Sequence, residues 1–165
     1  MPQEFNYQDA IRVAIETEKE LMDFYRRAAE ITVDPGGKKV FQALAEDERE
    51  HVRHFFNLYN GDALGTFDQY ITASGKSQSA MMHDLEKLFE SDIKERRAME
   101  IALREEQDLE KNLRLTASRI VDPMVRTVFE TLAGETRQHY DLIESEYARL
   151  MGMVHETDID TYVRE

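Results

Sequence analysis

The sequence predicts an all-α fold, an antiparallel four-helix bundle with one long crossover between its second and third helices. Apolar residues recur at helical spacing in four long segments of the chain. Short turn sequences join the first segment to the second and the third to the fourth, whereas residues 61–94 separate the middle two. A short turn makes neighbouring helices antiparallel, and a long connection can cross the full length of a bundle. A composition of 41% apolar and 33% charged residues suits such a bundle.

The first two segments form one predicted helical hairpin. Segment one covers about residues 8–32, and the sequence Asp34-Pro35-Gly36-Gly37 follows it as a tight turn. Segment two covers about residues 38–59 and ends before Asn60-Gly61.

The last two segments form a second hairpin. Segment three covers about residues 95–121, and Asp122-Pro123 both ends it and opens segment four, since proline is favoured at the first helical position. The long connector carries a helical patch near residues 81–89. We therefore expect one domain over residues 1–152 and a short polar tail over residues 153–165.

The two hairpins repeat each other at an offset of 88 positions. Glu18 and Glu106 are equivalent in this repeat, and so are His51 and His139. In each copy the glutamate precedes the histidine by 33 residues, and Leu-Ala lies shortly before the histidine. The pattern indicates a duplicated helix pair.

The polar residues of this repeat fall within the apolar stripes, where side chains should point into the bundle. They are Glu18, Glu48, His51, Glu106 and His139. An ionised carboxylate in an apolar interior needs protonation, a partner charge or a metal, and these stripes contain no Lys or Arg. The three carboxylates need about three positive charges, which a pair of divalent cations would supply, and Glu18 and Glu106 are the candidates to bridge the two ions. Histidine beside carboxylate favours iron, manganese or zinc over calcium or magnesium.

A single Glu-x-x-His in an acidic chain is weak evidence, because a solvated surface pair has the same spacing. The duplication and the position within the stripes are what favour metal binding. Tyr25 lies on the first stripe and is expected to pack in the core.

Composition excludes several classes of function. A net charge of −13 argues against nucleic-acid binding, and no apolar run approaches the roughly 20 residues that a membrane helix needs. The absence of cysteine excludes disulfides, thiolate metal sites and cysteine nucleophiles. The sequence at residues 1–5 has neither a basic nor an apolar leader region, which predicts a cytoplasmic location.

At these residues the chain resembles the rubrerythrin-type di-iron proteins of the ferritin-like superfamily. That superfamily holds two metal ions with a glutamate from each of two helices and a Glu-x-x-His from each of the other two. The resemblance implies that Glu18 and Glu106 are the single glutamates and that Glu48 and His51 form one Glu-x-x-His. His139 matches the second histidine.

The chain differs from the rubrerythrin pattern at two positions and in one domain. Thr136 stands where the second glutamate is expected, and the neighbouring Glu135 or a water is the alternative for the missing ligand. Leu109 stands where rubrerythrins carry a further glutamate, and the cysteine-ligated rubredoxin domain is absent. The resemblance therefore implies an external electron donor.

The leading hypothesis is a di-iron protein of redox type that reacts with peroxide or dioxygen. The alternatives are iron binding or storage with ferroxidase activity, and a non-catalytic helical dimer with a degenerate metal site, which Thr136 favours. A homodimer is expected because the apolar set Phe55, Phe56, Leu58 and Tyr59 exceeds what one bundle face can bury.

Overall fold

Every element of regular secondary structure in the described part of the chain is helical. The computed structural model describes residues 5–73, 80–87 and 94–152. The helices are α1 (Tyr7–Ile31), α2 (Pro35–Leu58), α3 (Phe67–Thr72), α4 (Ala80–Lys87), α5 (Lys94–Arg119) and α6 (Pro123–Leu150). The all-α prediction is confirmed, and the long helices α1, α2, α5 and α6 are the four predicted segments. The predicted tail, residues 153–165, lies outside the described residues.

The turn between α1 and α2 is shorter than the sequence predicts. The Asp34 carboxylate accepts a hydrogen bond of 2.8 Å from the Gly37 N–H, and Pro35 occupies the first turn of α2. An N-terminal aspartate cap followed by proline starts a helix, because the carboxylate satisfies a free N–H and proline presets φ. Gly36 and Gly37 therefore lie in the first turn of α2, and only residues 32–34 form the connection.

The turn between α5 and α6 follows the same rule. The Asp122 carboxylate accepts hydrogen bonds of 2.9 and 3.2 Å from the N–H groups of Met124 and Val125. Pro123 is the first residue of α6. Both hairpins thus begin their second helix at an Asp-Pro pair, as the sequence predicts for the second of them.

The relative directions of the helices confirm the crossover. Phe55 packs on Phe129 with ring centroids 4.9 Å apart, and the other end of α2 contacts the end of α6 through Asp34 and Arg149. These two contacts make α2 and α6 antiparallel. Glu95, at the start of α5, accepts a hydrogen bond of 3.0 Å from the Asp34 N–H at the start of α2. Since α2 and α5 begin side by side, the chain between them must cross the length of the bundle.

Within its described residues, the connector contains one helix that the sequence predicts and one that it does not. Helix α4 matches the predicted patch near residues 81–89 up to residue 87, beyond which the patch lies outside the described residues, whereas α3 is a single short element. Gly65 has a φ of +74°, which favours glycine, and Thr66 and Gln69 form a reciprocal capping box at the start of α3. These local signals explain a helix too short to show apolar periodicity.

Polar contacts attach the connector to α1. The buried Lys19 donates a hydrogen bond of 3.1 Å to the carbonyl oxygen of Ala73, just after α3, and its ammonium lies 2.5 Å from the Asp23 carboxylate. In α4, Glu86 lies 2.8 Å from Arg27. The crossover is therefore bonded to the outer side of the first hairpin.

The apolar set on which the homodimer prediction rests is largely covered within the chain. Phe55 is buried, and Phe56 packs on Phe67 and Tyr70 of α3 with ring centroids 5.7 and 6.0 Å apart. Leu58 is half-buried against the core. The homodimer stays a prediction, without support from this surface.

The predicted stripes form the interior of the bundle. Apolar side chains fill both ends, and a layer of polar side chains lies between them. Among the described residues, no helix combines the length and apolar character needed to cross a membrane.

Candidate metal centre

The polar layer consists of six side chains that the four long helices bring together. Three carboxylates and Thr136 are fully buried, and His51 and His139 are 2% and 5% exposed. Each residue lies one helical turn from buried apolar residues, so the packing of the stripes directs it inward. The full set is Glu18, Glu48, His51, Glu106, Thr136 and His139.

These side chains form two overlapping clusters of possible metal ligands. Glu18, Glu48 and His51 make the first, and Glu48, Glu106 and His139 make the second, with ligand atoms within 4.8 Å of one another in each. His51 Nδ1 lies 3.5 Å from Glu18 Oε2 and 3.3 Å from Glu48 Oε2. His139 Nδ1 lies 3.0 Å from Glu48 Oε1 and 3.5 Å from Glu106 Oε1. The five side chains predicted as ligands thus meet at one place.

Glu48 is the one residue that the two ligand clusters have in common. The sequence suggests Glu18 and Glu106 as the bridging groups, but each of them lies in one cluster. Glu48 turns one oxygen to each histidine. The reason is its place in the bundle: α2 packs on α6 and the imidazoles of His51 and His139 stack with ring centroids 5.2 Å apart, so a side chain one turn before His51 reaches the Nδ1 atoms of both. The spacing within one helix does not reveal this relation between helices.

Several buried atoms of the clusters have no hydrogen-bond partner. They are both carboxylate oxygens of Glu18, Oε2 of Glu48, Oε2 of Glu106 and Nδ1 of His51. A buried polar atom left unpaired costs about 1–3 kcal/mol, and more when it is charged. Because all of these atoms are metal donors on one polar layer, the residues fit a pair of transition-metal ions.

The outer nitrogen of each histidine is bound by a carboxylate of the other hairpin. His51 Nε2 lies 2.8 Å from Glu135 Oε2, and His139 Nε2 lies 3.2 Å from Asp47 Oδ2. A carboxylate on the outer nitrogen fixes the tautomer and orientation of a ligating imidazole, so Nδ1 is free to face the metal. The structure therefore places Glu135, the alternative for the missing ligand, outside both ligand clusters.

The role of Asp47 and Glu135 is not apparent from either residue alone. Their carboxylates are 62% and 46% exposed and look like ordinary surface groups. The repeat nevertheless carries a signal, since Asp47 directly precedes Glu48 and Glu135 directly precedes the equivalent Thr136. An acidic residue at the same position of both copies could have identified the pair.

Thr136 makes no contribution to either cluster. Its hydroxyl donates a hydrogen bond of 2.7 Å to the carbonyl oxygen of Leu132 in the same helix. The threonine is thus satisfied by its own backbone, and the second copy has no counterpart of the shared Glu48.

Tyr25 supports one of the two single glutamates. The fully buried phenol donates a hydrogen bond of 2.5 Å to Glu106 Oε1. Burial, together with the charge of Glu106, raises the pKa of Tyr25 well above its usual value, so the phenol keeps its proton. Leu113 occupies the equivalent position of the second hairpin. Glu18 therefore lacks a matching hydroxyl donor, consistent with its two unpaired oxygens.

The metal-free clusters hold protons. Burial lowers the pKa of each histidine, but the neighbouring carboxylates outweigh this effect and raise the pKa of His51 to about 12 and that of His139 to about 10. Burial and the charge of Glu48 raise the pKa of Glu18 well above its usual value. Burial acts in the same direction on Glu48, but the adjacent Glu18 and the two histidines favour its ionised form and hold its pKa below the usual value. Without metal, protonated histidines counter the buried carboxylates.

A depression of about 390 Å³ leads from solvent to this layer between α2 and α6. Its wall includes the outer sides of His51 and His139 and the carboxylates Asp47, Glu50 and Glu135. An acidic depression attracts cations, and it reaches the imidazoles from the side opposite the ligand atoms.

Comparison with known proteins gives one family. The rubrerythrin family model matches residues 3–59, which include α1, α2 and the ligand candidates Glu18, Glu48 and His51. No curated protein and no solved structure gives a significant match. The first hairpin is therefore similar to rubrerythrins, and the all-α bundle is consistent with that similarity.

Proposed function

We propose that the chain is a ferritin-like di-metal protein of redox type, with iron as the metal and peroxide or dioxygen as the oxidant. One observation carries the proposal: two histidine–carboxylate clusters share Glu48 in the buried middle of a bundle, and several of their donor atoms are unpaired.

The donor set favours iron. Carboxylate oxygens are hard ligands that stabilise a higher charge on the metal, and imidazole suits iron, manganese and zinc. A bound iron pair would supply the electrons for reduction of the oxidant. Manganese and zinc fit the same donors and remain the alternative metals.

The chain's own groups would hold and orient this centre. Glu48 would bind both ions, Glu18 with His51 one of them, and Glu106 with His139 the other. Around them, three residues would fix the ligands: Tyr25 orients Glu106, and Glu135 and Asp47 orient the histidines. The apolar ends of the bundle exclude water, which strengthens every charge interaction in the layer.

The electrons must be replenished from outside the bundle. The sequence contains no cysteine, so this chain cannot build a cysteine-ligated electron-transfer centre. We therefore propose a separate electron donor as a partner and retain the cytoplasmic location as a prediction.

One observation favours a second candidate, a helical protein with a degenerate site. The protonated histidines already counter the carboxylates, so the layer does not require metal for charge balance. Thr136 removes one anionic ligand as well. Iron binding or storage with ferroxidase activity would use the same ligands as the leading proposal. The two candidates differ in what happens to the iron after oxidation, and the arrangement of the ligands does not distinguish them.

Metal analysis of protein from iron-replete cells, combined with consumption of peroxide and dioxygen, separates these candidates. We expect two metal ions per chain and oxidation of the reduced protein by peroxide or dioxygen. Iron accumulating far beyond two ions per chain would indicate storage. A folded protein that binds no transition metal would identify the degenerate site.

A double substitution tests the ligand assignment. Changing Glu48 and His51 together to alanine should abolish stoichiometric metal binding, because it removes the shared ligand and one imidazole. His54→Ala is the matched control, since His54 lies on the same helix and is exposed. Unchanged metal binding by the folded double variant would show that the ions bind elsewhere.

A further inference from the structure

We propose that two copies of the chain associate face to face through the open half of a groove between α1 and α5, with the two bundles antiparallel. This groove lies on the side of the bundle opposite the depression between α2 and α6. The association does not depend on the metal centre. Three features support it: the duplication, exposed apolar side chains, and the charges at the two ends of the groove.

Helix α4 covers one half of this groove. It packs on both α1 and α5, its Met81 and Leu85 are buried, and its Glu86 is bonded to Arg27 of α1. An amphipathic helix of the connector thus completes the core along the C-terminal half of α1.

In the described part of the chain, nothing covers the other half of the groove. A cavity of about 350 Å³ lies there between the N-terminal half of α1 and the C-terminal half of α5, and it reaches the buried Leu109 and Leu113. Val13 and Leu115 line it and are 53% and 56% exposed. Exposed apolar side chains beside a cavity that reaches the core are typical of an interaction surface.

The duplication relates the open half of the groove to the covered half. Val13 is equivalent to Ile101, which is only 8% exposed, and Leu115 is equivalent to Arg27, the residue that α4 binds. A position that is charged beside the covering helix is therefore apolar where no helix covers it. This difference indicates that the open half has a covering partner of its own.

The charges of the open half favour a second copy as that partner. Arg119 lies at one end, with its guanidinium carbon 4.2 Å from the ring centroid of Phe5, and Glu105 and Asp108 lie at the other end. Within the described residues, none of these three charged groups forms an ion pair. When two copies pack antiparallel, Arg119 of each copy faces Glu105 and Asp108 of the other. A parallel arrangement would instead bring the two acidic ends together.

The same pairing brings the exposed apolar side chains close to the twofold axis. Along α5, Arg119 follows Asp108 by 11 residues and Glu105 by 14. An axis midway between the opposite charges therefore crosses α5 near residue 113. Leu115 lies within one helical turn of that point, and Val13 lines the same cavity at the same level. The two copies would bury these apolar side chains against each other.

Charge reversal tests the register of the pair. Sedimentation of the full chain over a range of concentrations gives the dimer dissociation constant. Arg119→Glu should raise this constant roughly tenfold or more, because the twofold axis turns one substitution into two repulsive contacts. Asp108→Arg should have a similar effect, and the double variant should recover most of the wild-type affinity, since opposite charges face each other again. Arg137→Glu, which reverses an exposed arginine of α6, is the control and should leave the constant unchanged.

A single engineered thiol tests the position of the axis, since the chain contains no cysteine. A short bis-maleimide should join Val13→Cys into a covalent dimer. Val121→Cys is the control, because Val121 is 90% exposed but lies far from the axis. Two thiols at residue 121 would be roughly 24 Å apart along the paired bundles, so the same reagent should not join them. Every changed side chain is exposed, and circular dichroism should show unchanged helix content in all variants.

Two kinds of result would overturn this surface. A monomer at high concentration would overturn it and leave the groove to another occupant, such as a different protein. A dimer that tolerates both charge reversals, or that is joined through Val121→Cys and not through Val13→Cys, would place the interface on another face of the bundle.

Discussion

Proton release should accompany metal binding, because the ligand atoms of both histidines carry protons in the metal-free protein. The pKa is about 12 for His51 and about 10 for His139, against 6.5 for the free side chain. Each pKa unit corresponds to about 1.4 kcal/mol, so freeing His139 of its proton at pH 7 costs about 4 kcal/mol. The cost for His51 is larger. The free energy of metal binding must exceed the cost of deprotonating both histidines.

The sign of the pH dependence follows from these values. Between pH 6.5 and 9 the native metal-free protein holds two histidine protons that the unfolded chain releases. Its stability is therefore fully present below pH 6.5 and falls by about 1.4 kcal/mol per pH unit for each histidine as the pH rises towards 10 and 12. The raised pKa of Glu18 adds to the same trend. Metal affinity should change in the opposite direction, rising about tenfold per pH unit for each ion.

Two measurements check this reasoning. Urea denaturation of chelator-treated protein between pH 6.5 and 9 gives the free energy of unfolding. Calorimetric titration with Co(II) in buffers of different ionisation enthalpy counts the protons released. His54→Gln is the control, because His54 is exposed and should leave both results unchanged. Metal-free stability that stays level or rises with pH, together with metal binding that releases no protons, would refute the assignment of charged histidines.

Three further outcomes follow from the structure. Glu48→Gln should lower the bound metal to well under one ion per chain, whereas Glu106→Gln should leave one ion. Elemental analysis measures both, and equal losses in the two variants would mean that Glu48 is not shared. Tyr25→Phe should destabilise the metal-free protein by about 1–3 kcal/mol, since Glu106 loses a buried donor. Tyr147→Phe, which removes a part-buried hydroxyl bonded to another glutamate, is the control and should cost less in thermal denaturation. Sedimentation should show a dimer of the 19.3 kDa chain, and a monomer at high concentration would contradict the homodimer.

The helices and the ligand layer were predictable because apolar periodicity reports directly on burial. Glu18 and Glu106 lie at the positions where a helix of 3.6 residues per turn must bury them, and the structure places them there. The duplication then identifies which buried glutamates belong together. Helix α3 was not predictable in this way, since six residues are too few to establish a period.

The sequence does not show which residues of different helices lie close together. The shared position of Glu48 and the support of His139 by Asp47 depend on how α2 faces α6, and no spacing within one helix contains that information. The position of Glu135 is the same case, because only the packed bundle places it on the outer nitrogen of His51.

The crossed support of the histidines makes the two hairpins dependent on each other. Each imidazole is oriented by a carboxylate of the opposite half, so neither half alone could orient its own histidine. Two identical hairpins associating as separate molecules would build the same arrangement with perfect twofold symmetry, and any substitution would change both sides at once. Joining the halves in one chain removes that constraint. Thr136 opposite Glu48, and Leu113 opposite Tyr25, are substitutions that only a fused pair can carry on one side.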